Sequence, residues 1–525
     1  MNTTLHAIDA VIILAYLMAL AAVGVYFSRR QTSLDKYLLA GRSMSWLPVG
    51  LSLMAALNSG IDYLMQPSAT IRYGLVLLAG TLSWPVLYPW VARVVIPFYR
   101  RLNFYTAYEY LEERFDVRVR TLAAAIFIVW RLGWMATAMY VPALAISAAT
   151  NGRIDVTLLI IVIGSLVTLY TMLGGVQAVI WNDVMQFCIM FGGLAATVAI
   201  AHANVPGGVS EIWGVATRAG KTSLWVPLLA PAATGVFAQL HHFFAEPVTV
   251  VAMVTAMVVG RMAQYTSDQV MVQRFQTTRS IKDTRQAFVV NAAGDVLWML
   301  GLSFVGLALF AYFGRHALPA GFGTDKLLPY FMSQAFPAGA VGLVIAAILA
   351  ASLSSIDSAI NSCTSVFVVD LYNRLFLKQE LARIELSSIE QPRQVYVSRV
   401  ATLISGAAGT ALACNVGKIG SLLEIANKLI NSFTGPLLGI FLLAMFSARA
   451  RSEAALAGGT AGAAASYYVA YHSGLSFLWP STFGLVATMA VGLVLTGLIP
   501  AAPIDARRNL TWRVVMMQPE REAVV

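Results

Sequence analysis

The sequence predicts an all-α, polytopic membrane protein with about thirteen transmembrane helices. Of its 525 residues, 58% are hydrophobic and only 11% are charged, whereas soluble domains carry about 25% charged residues. Apolar runs long enough to cross a bilayer, about 20 residues each, recur along the whole chain. Between these runs the Lys and Arg residues gather in alternate loops, as they do on the cytoplasmic side of membrane proteins.

The first apolar run extends from Ala10 to Phe27; Arg29 and Arg30 follow it, and no Lys or Arg precedes it. A signal peptide would have its positive charges before the run, so we interpret it as a retained helix with the N-terminus outside. The segment 225–243 is apolar but contains two prolines and a histidine pair, and we place it on the outer surface. The thirteen predicted spans are approximately residues 8–28, 47–69, 74–97, 121–148, 154–173, 182–202, 246–267, 287–313, 338–370, 395–414, 420–446, 453–471 and 477–499.

The distribution of charge supports this arrangement. The predicted cytoplasmic loops and C-terminal tail hold 24 of the 35 Lys and Arg residues, and the outer loops hold 7. This asymmetry predicts a multi-pass plasma-membrane protein, in the bacterial inner membrane, with a cytoplasmic C-terminus. The net charge of +10 does not indicate nucleic-acid binding, because the cations lie in short loops between apolar runs. The lipid bilayer is a predicted partner, and no obligatory protein partner is evident.

A stripe of hydroxyl groups runs along the predicted span 338–370, with Asp357 at its edge. Burying hydroxyl groups in an apolar helix costs free energy unless something polar faces them. In a membrane protein, the polar neighbour is another helix, water or an ion. The residues that share this face by helical spacing are Ala351, Ser354, Ser355, Ser358 and Ser362.

The run Asn58-Ser59-Gly60, with Asp62 close behind it, interrupts the predicted span 47–69. Gly and Asn both disfavour a continuous helix. Unwound backbone is tolerated at membrane depth only where it lines a cavity or is buried in protein, and its free carbonyl groups can coordinate a cation. The alternative interpretation is a site of close helix–helix packing.

Arg131 lies in the middle of the predicted span 121–148. An unpaired charge at that depth costs at least ~3 kcal/mol, so its side chain faces a polar interior. Two interpretations stay open. One is a structural ion pair with a buried acid, for which Asp62, Asp268 and Asp295 are available. The other is a contact with the anionic group of a solute.

Three stretches resemble the signature motifs of the sodium:solute symporter family, and the resemblance covers roughly residues 30–450. The first is residues 173–186, Leu-Gly-Gly-Val-Gln-Ala-Val-Ile-Trp-Asn-Asp-Val-Met-Gln, and the second is residues 268–275, Asp-Gln-Val-Met-Val-Gln-Arg-Phe. The third extends from the hydroxyl stripe through Asn361-Ser362 to Asp370-Leu371-Tyr372. Residues 67–74 also resemble the subgroup that includes iodide and monocarboxylate carriers.

The resemblance implies a fold of five plus five helices in an inverted repeat, with the first helix of each repeat broken at mid-membrane and the solute beside the breaks. It divides the chain into five parts. These are 1–46, an N-terminal extra helix and cytoplasmic loop; 47–203, the first repeat; 204–245, an extracellular connection; 246–447, the second repeat; and 448–525, two extra helices and a cytoplasmic tail.

The resemblance also implies the site residues. A sodium ion would lie between the first helix of repeat one and the third helix of repeat two, bound by the carbonyl groups of Ala55, Asn58 and Ala351 and the hydroxyl groups of Ser354 and Ser355. Some members bind a second sodium, whose ligands match Asp183, Ser354 and Ser358; Asp357 stands where some two-ion members have serine. The implied substrate-binding residues are Asp62, Arg131, Arg261, Gln264, Tyr265 and Asp295.

These features together predict a secondary active transporter, not an enzyme, that uses Na+ to carry a small organic solute by alternating access. Arg131 and the buried acids favour an anionic or zwitterionic solute, a carboxylate or an acidic sugar, while Asp62 replaces a glutamine that is common in the family. The alternatives are a neutral sugar or vitamin as solute, proton coupling through Asp357, Asp183 or Asp62, and a transporter-like sensor. No nucleophile–base pair, metal motif or phosphate loop indicates an enzyme.

Overall fold

The structure, a computed structural model, describes residues 6–28, 33–102, 104–150, 152–224, 235–316, 318, 323, 327–378, 390–417, 422–500 and 510–518. Within these ranges the chain is helical and has no β-strand, only one isolated bridge between Met44 and Thr278. Short 3₁₀ or π-helical turns connect some of the helices, at Ala40–Arg42, Gly74–Leu82, Val91–Val95 and Phe367–Phe376. The all-α prediction is confirmed for this part of the chain.

The α-helices follow one another along the chain without any intervening sheet. They are α1 (Ala7–Ser28), α2 (Leu34–Leu39), α3 (Trp46–Leu57), α4 (Gly60–Tyr73), α5 (Ser83–Trp90), α6 (Ile96–Leu102), α7 (Ala107–Arg114), α8 (Val117–Ala149), α9 (Val156–Ala203), α10 (Gly208–Arg218), α11 (Val236–Ala245), α12 (Val250–Ser267), α13 (Gln269–Thr277), α14 (Ile281–Phe313), α15 (Leu327–Ala335), α16 (Ala340–Val366), α17 (Glu390–Val416), α18 (Leu422–Phe446), α19 (Ser452–Tyr471), α20 (Pro480–Leu498) and α21 (Trp512–Met516).

Many of these helices are long and apolar enough to cross a membrane. Among the described residues there are 8 such helical runs, or up to 9 if α11 and α12, which meet at 60°, are one bent span. Trp46–Leu57 and Phe433–Phe446 are shorter apolar helices. The chain is therefore a multi-pass membrane protein, while the number thirteen stays a prediction, because several predicted spans are joined in longer helical runs.

One predicted loop is helical in the structure. Residues 174–182, which the span boundaries leave between two spans, belong to the 48-residue helix α9. The chain bends there at a single residue, Gly175, with φ 60° and ψ −168°. This conformation suits glycine, and a Cβ at this position would lie 2.8 Å from the carbonyl oxygen of Tyr37. Gly175 therefore makes the turn where the sequence predicts a loop.

The first predicted break is present and is built by local hydrogen bonds. Helix α3 ends at Leu57, Asn58 has extended backbone angles, and α4 begins at Gly60. The Ser59 hydroxyl accepts the N–H of Ile61 at 3.2 Å. The Asp62 carboxylate accepts the N–H of Ser59 at 2.7 Å, which completes a capping box. The short sequence 58–62 thus ends one helix and starts the next.

A second break lies at Asp268, between α12 and α13. The backbone of Asp268 is extended, with φ −89° and ψ 118°, and its carboxylate accepts the N–H of Val270 at 2.9 Å. Helix α12 is continuous up to Ser267, so this break is at the end of the predicted span 246–267 and not in its middle. The reason is that Asp268 is the N-cap residue of α13, whereas no capping residue or proline interrupts α12 between Val250 and Ser267.

Helix α16 is the most enclosed of the described helices that are long enough to cross a membrane. Every residue from Val344 to Val366 is buried, and the helix packs against α1, α3, α4, α8, α9 and α17. It carries the hydroxyl stripe, so the polar side chains of that stripe face protein and not lipid. Other helices must therefore supply their hydrogen-bond partners.

The N-terminal helix caps α16. Both the Gly339 and the Gly342 N–H groups donate to Asp9 Oδ1, at 2.8 and 2.7 Å. Asp9 is fully buried, and a Cβ on Gly342 would lie 2.5 Å from the Cα of Asp9. Helix α1 therefore touches the backbone of α16 directly, and its carboxylate satisfies N–H groups that a helix start leaves without partners.

We expect Asp9→Ala to destabilise the protein, because two buried N–H groups lose a charged acceptor, which costs about 1–3 kcal/mol. The measurement is the midpoint of thermal unfolding of the purified protein in detergent. Glu453→Ala is the matched control: Glu453 is also in the first turn of a helix, but its side chain is 51% exposed and makes only surface ion pairs. Equal midpoints for the two variants would contradict the capping role.

Candidate functional site

The hydroxyl stripe of α16 meets the end of α3. The Ser354 hydroxyl lies 2.8 Å from the carbonyl oxygen of Ala55 and 3.0 Å from that of Ala351. The Ser355 hydroxyl lies 3.5 Å from the carbonyl oxygen of Ala56 and 3.4 Å from that of Ala351. Each hydroxyl has one proton and two acceptors in reach, so this cluster of five oxygen atoms has more acceptors than donors. Such an oxygen cluster suits a hard cation.

Four of the five predicted sodium ligands are in this cluster, namely Ala55, Ala351, Ser354 and Ser355. Asn58 lies at the break, where its side-chain amide donates to the carbonyl of Met54 at 3.2 Å; its carbonyl as a ligand stays a prediction. The carbonyl of Ala56 belongs to the cluster and was missed. It could have been found, because the last four carbonyl groups of any helix lack partners within the helix and α3 ends at Leu57.

The predicted second sodium site contains a resident cation. The Arg274 guanidinium donates to Asp183 at 2.9 Å and also to the Ser358 hydroxyl. Asp183 accepts a further hydrogen bond from Ser52 at 2.5 Å. Arg274 is 1% exposed and Asp183 is fully buried. Two of the three predicted ligands, Asp183 and Ser358, are therefore joined through the guanidinium group of Arg274.

Asp357 adds a second carboxylate to this region. It is fully buried and accepts a hydrogen bond from the Tyr170 hydroxyl at 2.9 Å, and the Ser358 hydroxyl lies 3.3 Å from its other oxygen. Its partners in the described ranges are neutral, whereas Asp183 is paired with Arg274. When both carboxylates are ionised, the single guanidinium leaves one negative charge uncompensated, which is unfavourable away from water. Either a second cation or a proton on Asp357 would therefore be favourable here.

The break in α3 and α4 opens onto a cavity of about 190 Å³. An adjoining cavity of about 130 Å³ lies towards the other end of α4, and a smaller one of about 50 Å³ lies beside Arg131. Asp62 and Arg261 line both larger cavities, and Gln264 lines the largest and the smallest. These cavities share lining residues and together form one cleft between α3, α4, α8, α12, α14 and α18, whose wall is mostly apolar and carries a few polar and charged groups.

Arg131 pairs with Asp268, which is fully buried, and its guanidinium lies 4.4 Å from the ring centre of Trp130. Its counter-ion is therefore Asp268 at the second break, not Asp62. Arg131 also lines the smallest cavity, together with Trp134 and Gln264. The ion-pair interpretation is confirmed for this arrangement, and the side chain still reaches the cleft.

A second buried ion pair forms the wall of the larger cavities. Arg261 lies 2.6 Å from Asp295 and 2.8 Å from the Ser83 hydroxyl, and its guanidinium is 4.3 Å from the ring centre of Trp84. The indole N–H of Trp84 donates to Asp295 at 2.7 Å. Ser83 and Trp84 were not predicted, because nothing in their spacing connects them to a helix almost 180 residues away.

The remaining two predicted substrate residues differ in position. Asp62 is partly exposed and lines the two larger cavities, and no Lys or Arg among the described residues forms an ion pair with it. Tyr265 does not line these cavities. It is fully buried between Phe275 and Phe288, and its hydroxyl is bonded to Asn291. Gln264 and Tyr265 are neighbours in sequence, so they point to different sides of α12.

The motif at residues 268–274 connects several helices. Gln269 accepts the N–H of Ala107 at 2.9 Å, and Gln273 donates to the carbonyl of Leu38 at 2.6 Å and to Ser365 at 3.0 Å. Asp268 and Arg274 pair with Arg131 and Asp183, as described above. Every polar side chain of the motif therefore reaches a different part of the fold, which explains their spacing.

The third motif ends in a second set of ion pairs. Asp370 lies 2.6 Å from Arg120 and 2.9 Å from the Thr106 hydroxyl. Arg120 also lies 2.9 Å from Glu112, which in turn binds Arg374. These contacts fasten the far end of the α16 region to α7 and α8.

Comparison with known proteins identifies the family. The model of the sodium:solute symporter family matches residues 37–462, which is most of the chain. The chain belongs to the sodium:solute symporter family. The symporter is 31% identical to the sodium/sialic acid symporter SiaT of Proteus mirabilis, over 96% of this chain and 97% of that one. It is 31% identical to the sodium/sialic acid symporter NanT of Aliivibrio fischeri, over 93% of this chain and 92% of that one.

Solved structures agree with this assignment. A Na+-coupled sialic acid symporter in a substrate-bound outward-open state matches with a TM-score of 0.83 and 30% identity, covering 96% of this symporter and 100% of that chain. Mhp1, a nucleobase-cation-symport-1 family transporter, matches with a TM-score of 0.59 at 15% identity and shares the fold. The protein is thus a sodium-coupled secondary transporter of a small solute and not an enzyme.

We expect Asp268→Asn to be strongly destabilising. Asparagine can still cap α13, but the buried Arg131 guanidinium loses its counter-charge, which costs about 3–5 kcal/mol. Adding Arg131→Met removes the unpaired charge and restores most of the loss. The measurement is the thermal midpoint in detergent of wild type, single and double variants. A double variant that is no more stable than Asp268→Asn would contradict this pairing.

Proposed function

We propose that this symporter carries an acidic sugar of the sialic acid class, together with sodium, by alternating access. The observation that carries the proposal is the pair of guanidinium groups, Arg131 and Arg261, on the walls of a cleft that opens at the helix break. Two relatives named for sodium/sialic acid symport align over more than nine-tenths of the chain. An acid with many hydroxyl groups matches the chemistry of this cleft.

The arginines and acids of the cleft have separate roles in this proposal. The solute carboxylate binds Arg131, the cationic side chain of the smallest cavity, and so competes with Asp268 for the guanidinium. Planar guanidinium groups bind carboxylates with two parallel hydrogen bonds. The Asp62 carboxylate then accepts hydrogen bonds from hydroxyl groups at the other end of the solute. The Gln264 amide both donates hydrogen bonds to these hydroxyl groups and accepts hydrogen bonds from them. Arg261 stays paired with Asp295 and shapes the wall.

Sodium binds, in this proposal, between α3 and α16. Its ligands are the carbonyl oxygens of Ala55, Ala351 and Asn58 and the hydroxyl oxygens of Ser354 and Ser355, with Ala56 as a further carbonyl in reach. The ion ties the broken helix to α16 and so shapes the cleft for the solute. Coupling follows if sodium and solute favour the same conformation. The membrane potential adds about 2.3 kcal/mol per charge per 100 mV.

A second sodium ion beside Asp183, Ser354 and Ser358 remains part of the proposal. The uncompensated charge of Asp357 supports it, while the Arg274 guanidinium, which already binds Asp183 and Ser358, leaves only the remaining oxygen atoms as ligands. A proton in place of sodium is the competing source of positive charge. Replacing sodium by choline at constant pH distinguishes the two, because proton-driven uptake would continue.

We also propose the topology and the domain boundaries. Thirteen helices cross the bacterial inner membrane, with the N-terminus outside and the C-terminus in the cytoplasm. Residues 47–203 and 246–447 form the inverted repeats, joined by the extracellular connection 204–245 and flanked by 1–46 and 448–525. The breaks at Asn58-Ser59 and Asp268, each in the opening segment of a repeat, support this division.

We expect Ser354→Ala and Ser355→Ala to raise the sodium concentration for half-maximal uptake at least about tenfold, because each removes a hydroxyl ligand worth roughly 1.4 kcal/mol. The measurement is sialic acid uptake into proteoliposomes over a sodium titration. Thr364→Ala is the control, since this hydroxyl on the same helix pairs with Thr402 of α17. Sodium curves that match wild type for both serine variants would overturn the proposed site.

The Arg131→Met/Asp268→Asn double variant tests the anion contact. It keeps the charge balance, so we expect a folded protein that has lost its preference for acidic sugars. Wild type should be stabilised by sialic acid only in the presence of sodium, by about 2.7 kcal/mol at a concentration of 100 Kd. The double variant should show no such stabilisation in the same thermal-shift assay. Equal stabilisation of both proteins would exclude Arg131 as the carboxylate contact.

A further inference from the structure

The wall of the cleft includes a segment from the C-terminal part of the chain. Residues 472–479 connect α19 to α20. Phe477 and Leu478 line the cavity of about 130 Å³, and Leu478 also lines the cavity of about 190 Å³. Leu478 is 3% exposed. Because it borders both cavities, its side chain stands where they adjoin.

Ser476 fastens this segment to the start of α12. Its N–H donates to the carbonyl of Phe244 at 2.9 Å, and its hydroxyl donates to the carbonyl of Pro247 at 2.7 Å. These carbonyls lie in and after α11, at the 60° bend that leads into α12. Helix α12 carries Arg261 and Gln264. The segment therefore contacts the backbone that precedes the polar wall of the cleft.

A second anchor joins the same segment to α18. The Ser481 hydroxyl, in the first turn of α20, lies 2.7 Å from the Thr434 hydroxyl, and Thr434 lines the largest cavity. A Cβ on Gly435 would lie 1.8 Å from the carbonyl oxygen of Ser481. The two backbones are thus in direct contact, and only glycine permits this approach. The segment is held between two helices that both contribute to the cleft.

The segment lies after the end of the family-model match. The family model matches residues 37–462, so Phe477 and Leu478 lie outside the residues that this model matches. A cavity wall built from such residues can differ between members without changing the sodium site. Apolar side chains on such a wall select solutes by size and shape.

We propose that residues 476–478 are a specificity-determining wall of the solute cleft, with Ser476 as the positioning residue that fixes the wall to α12. Leu478 sets the space available where the two cavities adjoin, and Phe477 bounds the cavity of about 130 Å³. The choice of solute in the test rests on the proposed function. The placement of the wall does not, since it follows from the cavity and the two anchors.

The first experiment tests selectivity through uptake of sialic acid and its inhibition by an analogue with a bulkier N-acyl group. The quantity compared is the concentration of the bulky analogue that halves uptake, divided by the corresponding concentration of unlabelled sialic acid. Leu478→Ala is expected to lower this ratio about tenfold, a typical effect of a few methylene groups in an apolar pocket. The sodium dependence should stay as in wild type. His472→Ala, in the same segment but exposed and outside the cavities, is the control. An unchanged inhibition ratio in Leu478→Ala would overturn the proposal.

The second experiment needs no solute. Leu478→Cys is made with Cys188→Ser and Cys414→Ser, and the rate of maleimide labelling is measured on the purified protein. Adding Ser476→Ala should raise that rate about tenfold, because the wall loses its anchor to α12. Adding Ser473→Ala should not, since that hydroxyl bonds to Val469 near the end of α19 and to Leu475 of the segment itself, and not to α11 or α12. Equal rates for the two serine variants would overturn the anchoring role.

The two experiments separate failure of the wall from failure of the proposed function. If wild type does not take up sialic acid, the proposed function is wrong, and the labelling rates still decide whether Ser476 holds the wall. If wild type takes up sialic acid but neither the inhibition ratio nor the labelling rate responds, the wall proposal is wrong and the proposed function stands.

Discussion

The structure depends on the contact between the hydroxyl face of α16 and the free carbonyl groups at the end of α3. Neither partner is stable alone away from water: the serines need acceptors, and the carbonyls of a helix that ends inside the protein need donors. Ser354 and Ser355 meet the carbonyls of Ala55 and Ala56 and so satisfy both needs. Because a hydroxyl group can rotate from donor to ligand, the same contact can exchange a hydrogen bond for a sodium ion.

Charge compensation around the second break extends this design. Three buried arginines each have one carboxylate partner, and all three pairs involve α12, Asp268 or α13. Asp62 and Asp357 are further carboxylates for which the described residues supply neutral partners. The region therefore holds two more carboxyl groups than guanidinium groups, and protons, sodium or donor groups of the solute can compensate them. The three pairs are Arg131–Asp268, Arg261–Asp295 and Arg274–Asp183.

The sequence alone was sufficient for the features that depend on local chemistry. The run Asn58-Ser59-Gly60 predicts the break, because Asn and Gly disfavour a continuous helix. The spacing of the serines predicts their common face, and the depth of Arg131 predicts that its side chain faces a polar interior. What it could not supply is which distant helix each face meets. Asp268 as the partner of Arg131, Trp84 beside Arg261 and Leu478 on the cleft wall all depend on packing between segments far apart in the chain. The turn at Gly175 was not predicted, because the sequence indicates a loop over residues 174–182, whereas one glycine is sufficient to turn the chain and the rest of the stretch is helical.

The capping box at the break has a consequence for anion recognition. A helix that starts inside a membrane presents the positive end of its dipole, and half-helices in transporters commonly direct that end at an anionic solute. In this symporter the start of α4 is already neutralised by its own Asp62 carboxylate, which binds the N–H of Ser59. The dipole is therefore not available to the solute, and the attraction of an anion depends on guanidinium side chains. In the proposed mechanism, selectivity for charge is in this way separated from the backbone break, which serves sodium.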